Sequence, residues 1–441
     1  MPIVYDATRL FWGPLSLTPR GIDRVDFAYA KHFFEHSQDD CFALLPTGLG
    51  ARIFPRERVV PGLARLEELW AENRSPDGDM TWSRFVPAVN AGPTAWHCSP
   101  NGPIVRARRM ASLLGKIGVG HGQSAVASVA PGSIYLNAGH LTLSVPFFLR
   151  WLNRRPDIKP VFMIHDVIPL NTPEYTSPRA ARFHASMLEQ TARYAAGLIA
   201  TTRFAQKSIE TELERRGAPK LPAIALPLPV PSIFHEPPDP DPALAGITYF
   251  VICGSIELRK NHLMLLEVWK RLYQRFGQAC PRLIVVGSKG WQGDLILDRL
   301  KHAGEVSGRI HVLQGLSTPA LKRLMSGARA LLMPSMIEGF GMPIAEANAI
   351  GTPVIASDIP AHREVGGPGV IFVDPLDGPG WEHAIVSALS SEPMRSFSPE
   401  NAHNFTWLDY FRELTVFLRT IAASPNMEIR NSLRGYLERA E

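Results

Sequence analysis

The chain has 441 residues, 45% hydrophobic and 20% charged, with a net charge of +5, enough length for two or three domains that each bury a core. No apolar run approaches the ~18–20 residues that a membrane-crossing helix needs, and the N-terminus MPIVYDATRL lacks the basic-then-apolar layout of a secretion signal. Cys41, Cys98, Cys253 and Cys280 are widely spaced without a CxxC pair, which favours reduced thiols in a cytoplasmic protein over a disulfide frame or zinc site. The modest positive charge suits anionic substrates or an acidic membrane surface, and no aromatic-and-basic motif points to nucleic acid.

Pro2–Asp6 reads as a first strand, and Gly21–Phe33 as a helix with Ile22, Val25, Tyr29 and Phe33 on one face. The loop between them, Trp12–Gly21, lies at the carboxyl end of that strand, where open α/β sheets bind ligands. Arg20 at the loop's end and Arg24 in the helix's first turns are candidates to receive an acceptor phosphate, with Gly21 between them and Asp166 as further candidate acceptor contacts; a solvated helix start, with Asp23 complementing the dipole, carries equal weight. Residues 50–130 show no clear pattern. Their basic run from Arg106 to Lys116 offers either a peripheral membrane contact or a solvated face. The glycines at 115, 118, 120 and 122 follow no strand, so a dinucleotide reading is discounted.

Ser133–Leu136 and Pro160–Ile164 are two further strands. The second ends in His165-Asp166, where a histidine can donate to a sugar hydroxyl or a phosphate and Asp166 can cap the next segment. Asn137 to His140 follow the other strand and face the same end. Leu198–Thr202 closes this half. The proline-rich stretch Pro222–Pro242 excludes helix and central strand and reads as a linker. Asp239-Pro-Asp241, and Asp77-Gly-Asp79 earlier, mimic a metal-binding DxD; neither follows a strand, so no metal site is assigned.

The second half alternates strand and helix. Tyr249–Cys253 leads into Gly254-Ser255-Ile-Glu-Leu-Arg259-Lys260-Asn261 and a helix from about His262; Arg282–Val286 leads into Gly287 to Trp291; Ile310–Leu313 leads into Gly315-Leu316-Ser317. After a helix at Ala320–Ala328 and a short strand at Ala330–Met333 comes PSMIEGFGMPIAEANAIGTPVIASD, residues 334–358. Glu338-Gly339-Phe340-Gly341-Met342 is a strand-to-helix loop with Pro343 at the helix start. The amides of Phe340, Gly341 and Met342 then lack helical partners and form an anion site. Glu338 at its mouth and Glu346 in the first turn face the same place. A carboxylate beside a bound phosphate is repelled unless it accepts hydroxyl hydrogens, so diphosphate plus polyol suggests a nucleotide sugar. Pro353–Ser357 and Val370–Val373 are the last strands, and Thr406–Ala422 a helix with an apolar stripe.

The 334–358 string resembles the Glu-x₇-Glu motif of retaining glycosyltransferases of family 4. The likeness is strong over about residues 246–375, fair at 131–175 and at the N-terminus, and faint between 50 and 130. It implies the GT-B fold: two Rossmann-like α/β domains facing each other across a cleft. Residues 1–235 would bind acceptor, 236–245 link, and 246–405 bind donor, with a segment 406–441 whose helix crosses back to the first domain. By the same resemblance Glu338 lies near the transferred sugar and Glu346 binds ribose. Lys260 falls on the main diphosphate lysine, with Arg259 sharing the load because Ser255 stands where many relatives place an arginine after Gly254. Leu316 and Ser317 would cradle the base through backbone contacts, and His165 would sit over the sugar. The implied activity is hexosyl transfer, from GDP-mannose by the likeness of EGFGMP and IELRKNH to bacterial mannosyltransferases, onto a glycan or lipid-linked acceptor in surface polysaccharide synthesis. Neither metal nor cofactor is called for, and the expected location is the cytoplasm, including the inner membrane face. A sugar-nucleotide epimerase, or a non-catalytic glycan-binding scaffold on the same fold, is the alternative.

Overall fold

The computed structural model describes residues 1–13, 21–71, 78–89, 94–97, 103–390 and 405–424. Arg20, Asp77, Cys98 and the tail 425–441 lie outside the described residues, as does the Arg106 side chain.

Among the described residues fifteen strands form two sheets. They are β1 (Ile3–Asp6), β2 (Cys41–Thr47), β3 (Gly50–Pro55), β4 (Thr94–His97), β5 (Gln123–Ser124), β6 (Ile134–Asn137), β7 (Lys159–Met163), β8 (Gly197–Ala200), β9 (Ala223–Ala225), β10 (Tyr249–Cys253), β11 (Arg282–Val286), β12 (Ile310–Gln314), β13 (Leu331–Met333), β14 (Val354–Ser357) and β15 (Val370–Val373). The first sheet runs β5-β3-β2-β1-β6-β7-β8-β9, parallel except where β3 meets β2 and β5; the second runs β15-β14-β13-β10-β11-β12-β4 and is parallel throughout. β6, β7 and β13 are buried along their whole length, the continuous apolar reading of strands covered on both faces. Strand order reverses beside β1 in the first sheet and beside β10 in the second, so each sheet has a crevice there at its carboxyl edge.

The helix Gly21–Lys31 does not stop at Phe33. It passes into a π-helical turn, His32–His36, whose wider winding lets the adjacent Phe33 and Phe34 both reach the core. Asp26 on the same helix is wholly buried; it accepts from the Tyr5 hydroxyl through Oδ1, and its Oδ2 has no partner. Burial pushes its carboxyl up to about 8, only partly offset by Tyr5 and Arg9. The unfolded chain ionises Asp26 near its ordinary value while the folded chain keeps it protonated. Stability from this residue is therefore full below about pH 4 and is lost as pH rises towards 8. Asp26→Asn is expected to flatten that decline, which is on the order of several kcal/mol, as read from unfolding midpoints at pH 4 to 8.

The expected first domain, residues 1–235, needs correction, because residues 79–89 and 94–97 join the second: β4 extends the second sheet beside β12, and the helix Met80–Ala88 packs Trp82 and Phe85 into that sheet's core. Asp79 of the discounted DxD caps this helix, accepting from the amides of Thr81 and Trp82. Asp241 of the other accepts from Trp82 Nε1 at 3.2 Å and caps a short turn, Pro242–Leu244. The proline-rich stretch opens with β9, an edge strand, where the missing amides of flanking prolines do no harm.

The helix Trp407–Ala423 lies on the first domain. Tyr410 and Tyr29 share a hydrogen bond at 2.6 Å, His32 stacks on Phe411, and Lys159 Nζ donates to the carbonyls of Ile421, Ala422 and Ser424 at the helix end. The helix Pro103–Ile117, which carries the basic run, turns Leu113 and Ile117 to the core. Among the described residues no helix is long and apolar enough to cross a membrane.

Candidate active site

The carboxyl ends of β10 and β13, neighbours at the second sheet's crevice, carry the segments 254–261 and 334–341. Gly341, with φ 108°, turns the chain into the helix Met342–Ala349, a conformation that a side chain would resist. Among the described residues no group accepts from the amides of Phe340, Gly341 or Met342.

Glu338, 6% exposed, is the hub. Lys260 Nζ and Ser335 Oγ (2.8 Å) donate to its Oε1, and Arg259 Nη1 donates to Oε2 at 2.8 Å. Burial alone would raise the Glu338 carboxyl, but Lys260 and Arg259 hold it well below the usual carboxylate range. Arg259 also pairs with Glu257 at 2.7 Å, and Ser255 Oγ donates to Glu257 rather than facing the crevice. Gly254 lies against Lys260, whose Nζ is 3.3 Å from where a Gly254 Cβ would stand. Cys253 ends β10, and burial pushes its thiol up to about 12, with Glu346 adding to the shift and Arg24 and Lys260 opposing it.

The loop 338–341 is wedged against the first domain. Phe340 packs into that domain's core. The Gly339 carbonyl accepts from Thr201 Oγ1 (3.2 Å) and Thr202 Oγ1 (2.9 Å). A Cβ on Gly339 would stand 2.8 Å from the His165 carbonyl oxygen and 2.9 Å from Asp166 Cβ. Asp166 Oδ1 caps the next turn, accepting from the Ile168 amide at 3.1 Å.

His165 follows β7 with its backbone carbonyl against Gly339, and its ring is not an open donor. Its ring Nε2 is 3.3 Å from the Ala138 carbonyl, and burial pushes the imidazole down to about 4. At neutral pH the ring is uncharged and its Nε2–H donates to the Ala138 carbonyl, which leaves Nδ1 as an acceptor. The ring N–H expected to donate to a sugar hydroxyl or a phosphate is thus committed to the backbone. His140, with φ 65°, supports it by accepting from the His165 amide through Nε2 at 3.2 Å.

Arg24 also departs from expectation. Instead of waiting for an acceptor phosphate, its Nη1 donates to Glu346 Oε1 at 3.0 Å and its Nη2 to Thr318 Oγ1 at 2.8 Å, both on the second domain. Gly21 is exposed at its helix start. Leu316 is buried, and Ser317 has both polar groups committed: its amide donates to Asp79 Oδ2 at 2.6 Å and its hydroxyl caps the helix Thr318–Gly327. A base cradled here would meet the loop without the Ser317 amide. Sequence reasoning missed His362, buried with Nδ1 on the Ser357 carbonyl (3.0 Å) and its ring against Gly341. The only signal for it was its place one strand after the loop.

Residues 245–405 match the family described as Glycosyl transferases group 1. The chain is 30% identical over 221 residues to the serotype-specific mannosyltransferase WbdA of Escherichia coli, covering 46% of this chain and 26% of WbdA. It is 46% identical over 140 residues to the O-antigen chain mannosyltransferase RfbU of Salmonella typhimurium, covering 31% of this chain and 37% of RfbU. The chain therefore spans well under two thirds of either relative's length. The solved structure of Anabaena Alr3699/HepE in complex with UDP superposes with a TM-score of 0.56 at 14% identity, covering 95% of this chain and 99% of that one. Two α/β domains built on largely parallel sheets across a shared crevice make this the GT-B fold.

Proposed function

We propose that this protein, which carries a glycosyl transferases group 1 domain and is similar to bacterial O-antigen mannosyltransferases, transfers a hexose with retention from a nucleoside-diphosphate sugar, GDP-mannose first among them, to a glycan or lipid-linked acceptor in surface polysaccharide synthesis. The observation that carries the reading is that Lys260 meets Glu338 where the neighbouring strands β10 and β13 end, with the unpartnered amides of residues 340–342 and Glu346 on the loop and helix that follow Glu338. That set matches the parts of a nucleotide sugar: amides and cations for diphosphate, Glu346 for ribose hydroxyls, Glu338 and His165 Nδ1 as acceptors for sugar hydroxyls.

In this reading the acceptor hydroxyl attacks the anomeric carbon on the face the diphosphate leaves. The bond from the anomeric carbon to the phosphate oxygen breaks, and the departing β-phosphate takes the hydroxyl proton. The enzyme's main work is to stabilise the charge that grows on the diphosphate. Lys260 has three donors and can keep Glu338 while adding the phosphate. The test is a panel of nucleotide sugars offered to the full chain, scored for nucleoside diphosphate release. Release from one or two donors, rising with a mannose-bearing acceptor, supports the reading; no release and no binding from any donor defeats it. Glu346→Ala is expected to raise donor Kd by about tenfold or more while changing turnover less, measured by titration beside initial rates.

A further inference from the structure

We infer that Arg24, a residue of the first domain, completes the nucleotide-binding half of the second by holding Glu346 through Oε1 and leaving Oε2 to the ribose, so that a nucleoside diphosphate binds tightly only when the domains are together. The inference rests on the nucleotide reading above and gives Arg24 a donor-side role.

Glu346 sits on the helix Met342–Ala349 with 3% of its side chain exposed, and among the described residues Arg24 is the cation paired with it. Lys260 of its own domain is committed to Glu338. A carboxylate so buried needs a partner to stay charged; burial pushes the Glu346 carboxyl up and Arg24 opposes that shift. Oε1 is taken by Arg24, while Oε2 has no protein partner among the described residues. A hydroxyl donor is the chemistry that fits an ionised oxygen left over beside a fixed guanidinium.

The second arm of Arg24 reaches Thr318, the first residue of the helix that follows Gly315-Leu316-Ser317. One planar fork thus ties the ribose carboxylate to the loop expected to cradle the base. A lysine keeps the charge but cannot span both partners in fixed geometry. Arg24 is a positioning residue: it acts on the donor through Glu346 and Thr318. Elsewhere the interface has an independent tie, Glu364, whose carboxylate accepts from the amides of Arg203 and Phe204 at 2.8 Å each. That contact is exposed, so it separates domain closure in general from what Arg24 does.

The experiment titrates GDP and UDP into the full chain and its Arg24→Ala, Arg24→Lys and Glu364→Gln variants by calorimetry, with thermal unfolding as the check on folding. The tighter diphosphate is expected to lose about tenfold or more in affinity with Arg24→Ala, to fall between with Arg24→Lys, and to keep wild-type affinity with Glu364→Gln. Wild-type affinity in Arg24→Ala overturns the inference and leaves the nucleotide reading standing. An equal loss in Glu364→Gln also overturns it, because any interface tie would then serve. If the wild-type chain binds neither diphosphate, the nucleotide reading itself fails and the inference falls with it.

Discussion

Lys260→Ala is expected to lower turnover at saturating donor by about two to three orders of magnitude while circular dichroism reports an unchanged fold. The lysine ends at the Glu338 carboxylate and beside Gly254, at the crevice where the free amides of residues 340–342 also point. Charge that appears on the leaving diphosphate is met there by a cation already fixed and desolvated, so little reorganisation accompanies the step. The fold survives because Glu338 keeps Arg259 at 2.8 Å and Ser335 at 2.8 Å. Some stability goes all the same, about 3 kcal/mol, since a buried ion pair loses a member. Initial rates with the preferred donor, alongside the unfolding midpoint, separate the two effects. Near-normal turnover in a folded variant would remove leaving-group stabilisation from Lys260.

Gly339→Ala is the second large effect, with kcat/KM expected to fall about a hundredfold. The added methyl would meet the His165 carbonyl at 2.8 Å and Asp166 Cβ at 2.9 Å. The carbonyl is backbone and cannot swing aside. The loop 338–341 must then part from the first domain, losing the bonds from Thr201 and Thr202 to its carbonyl. Glu338 moves with the loop, and a displacement near 1 Å is enough to misplace the sugar against His165. Overpacking costs about 1–3 kcal/mol in stability as well, read as a fall in the unfolding midpoint. A variant with wild-type kcat/KM would mean that the wedge between loop and first domain has no part in the reaction.

The second half was legible because its chemistry and its local structure agree. Tyr249–Cys253, Arg282–Val286 and Val370–Val373 are apolar runs bounded by glycine, proline or polar residues, and each forms the expected strand. Glu338, Lys260 and Glu346 were recoverable from one string and one short stretch, since backbone turns put neighbours in sequence at one sheet edge. The first half hid more. β2, β3 and the helix Arg56–Ala71 went unread: β2 contains Pro46, the helix contains Pro61, and antiparallel β3 mixes polar and apolar residues. β4 was unreadable as part of the second sheet, because a strand some 210 residues from its partner β12 leaves no local mark.

The site's misreadings share that cause. Arg24 reads as an acceptor ligand from its closeness in sequence to Arg20 and Gly21, whereas its partners Glu346 and Thr318 are about 300 residues away. Asp79, in the discounted DxD, caps one helix and holds the Ser317 amide, 238 residues away in sequence. For His165 the strand end was right, but the protonation pattern depends on Ala138 and His140, which only tertiary structure brings to its ring. Side chains that answer to the nearest turn can be placed from sequence; those that answer to another domain cannot.

The most direct measurement is a crystal structure of the full chain with a bound nucleoside diphosphate, GDP or UDP according to affinity. The diphosphate is expected at the amides of Phe340, Gly341 and Met342 with Lys260 on its β-phosphate, and the ribose on Glu346 Oε2 beside an unmoved Arg24. Density for the nucleotide away from the crevice between β10 and β13, or ribose turned from Glu346, would contradict the assignment of a single donor to this set of residues.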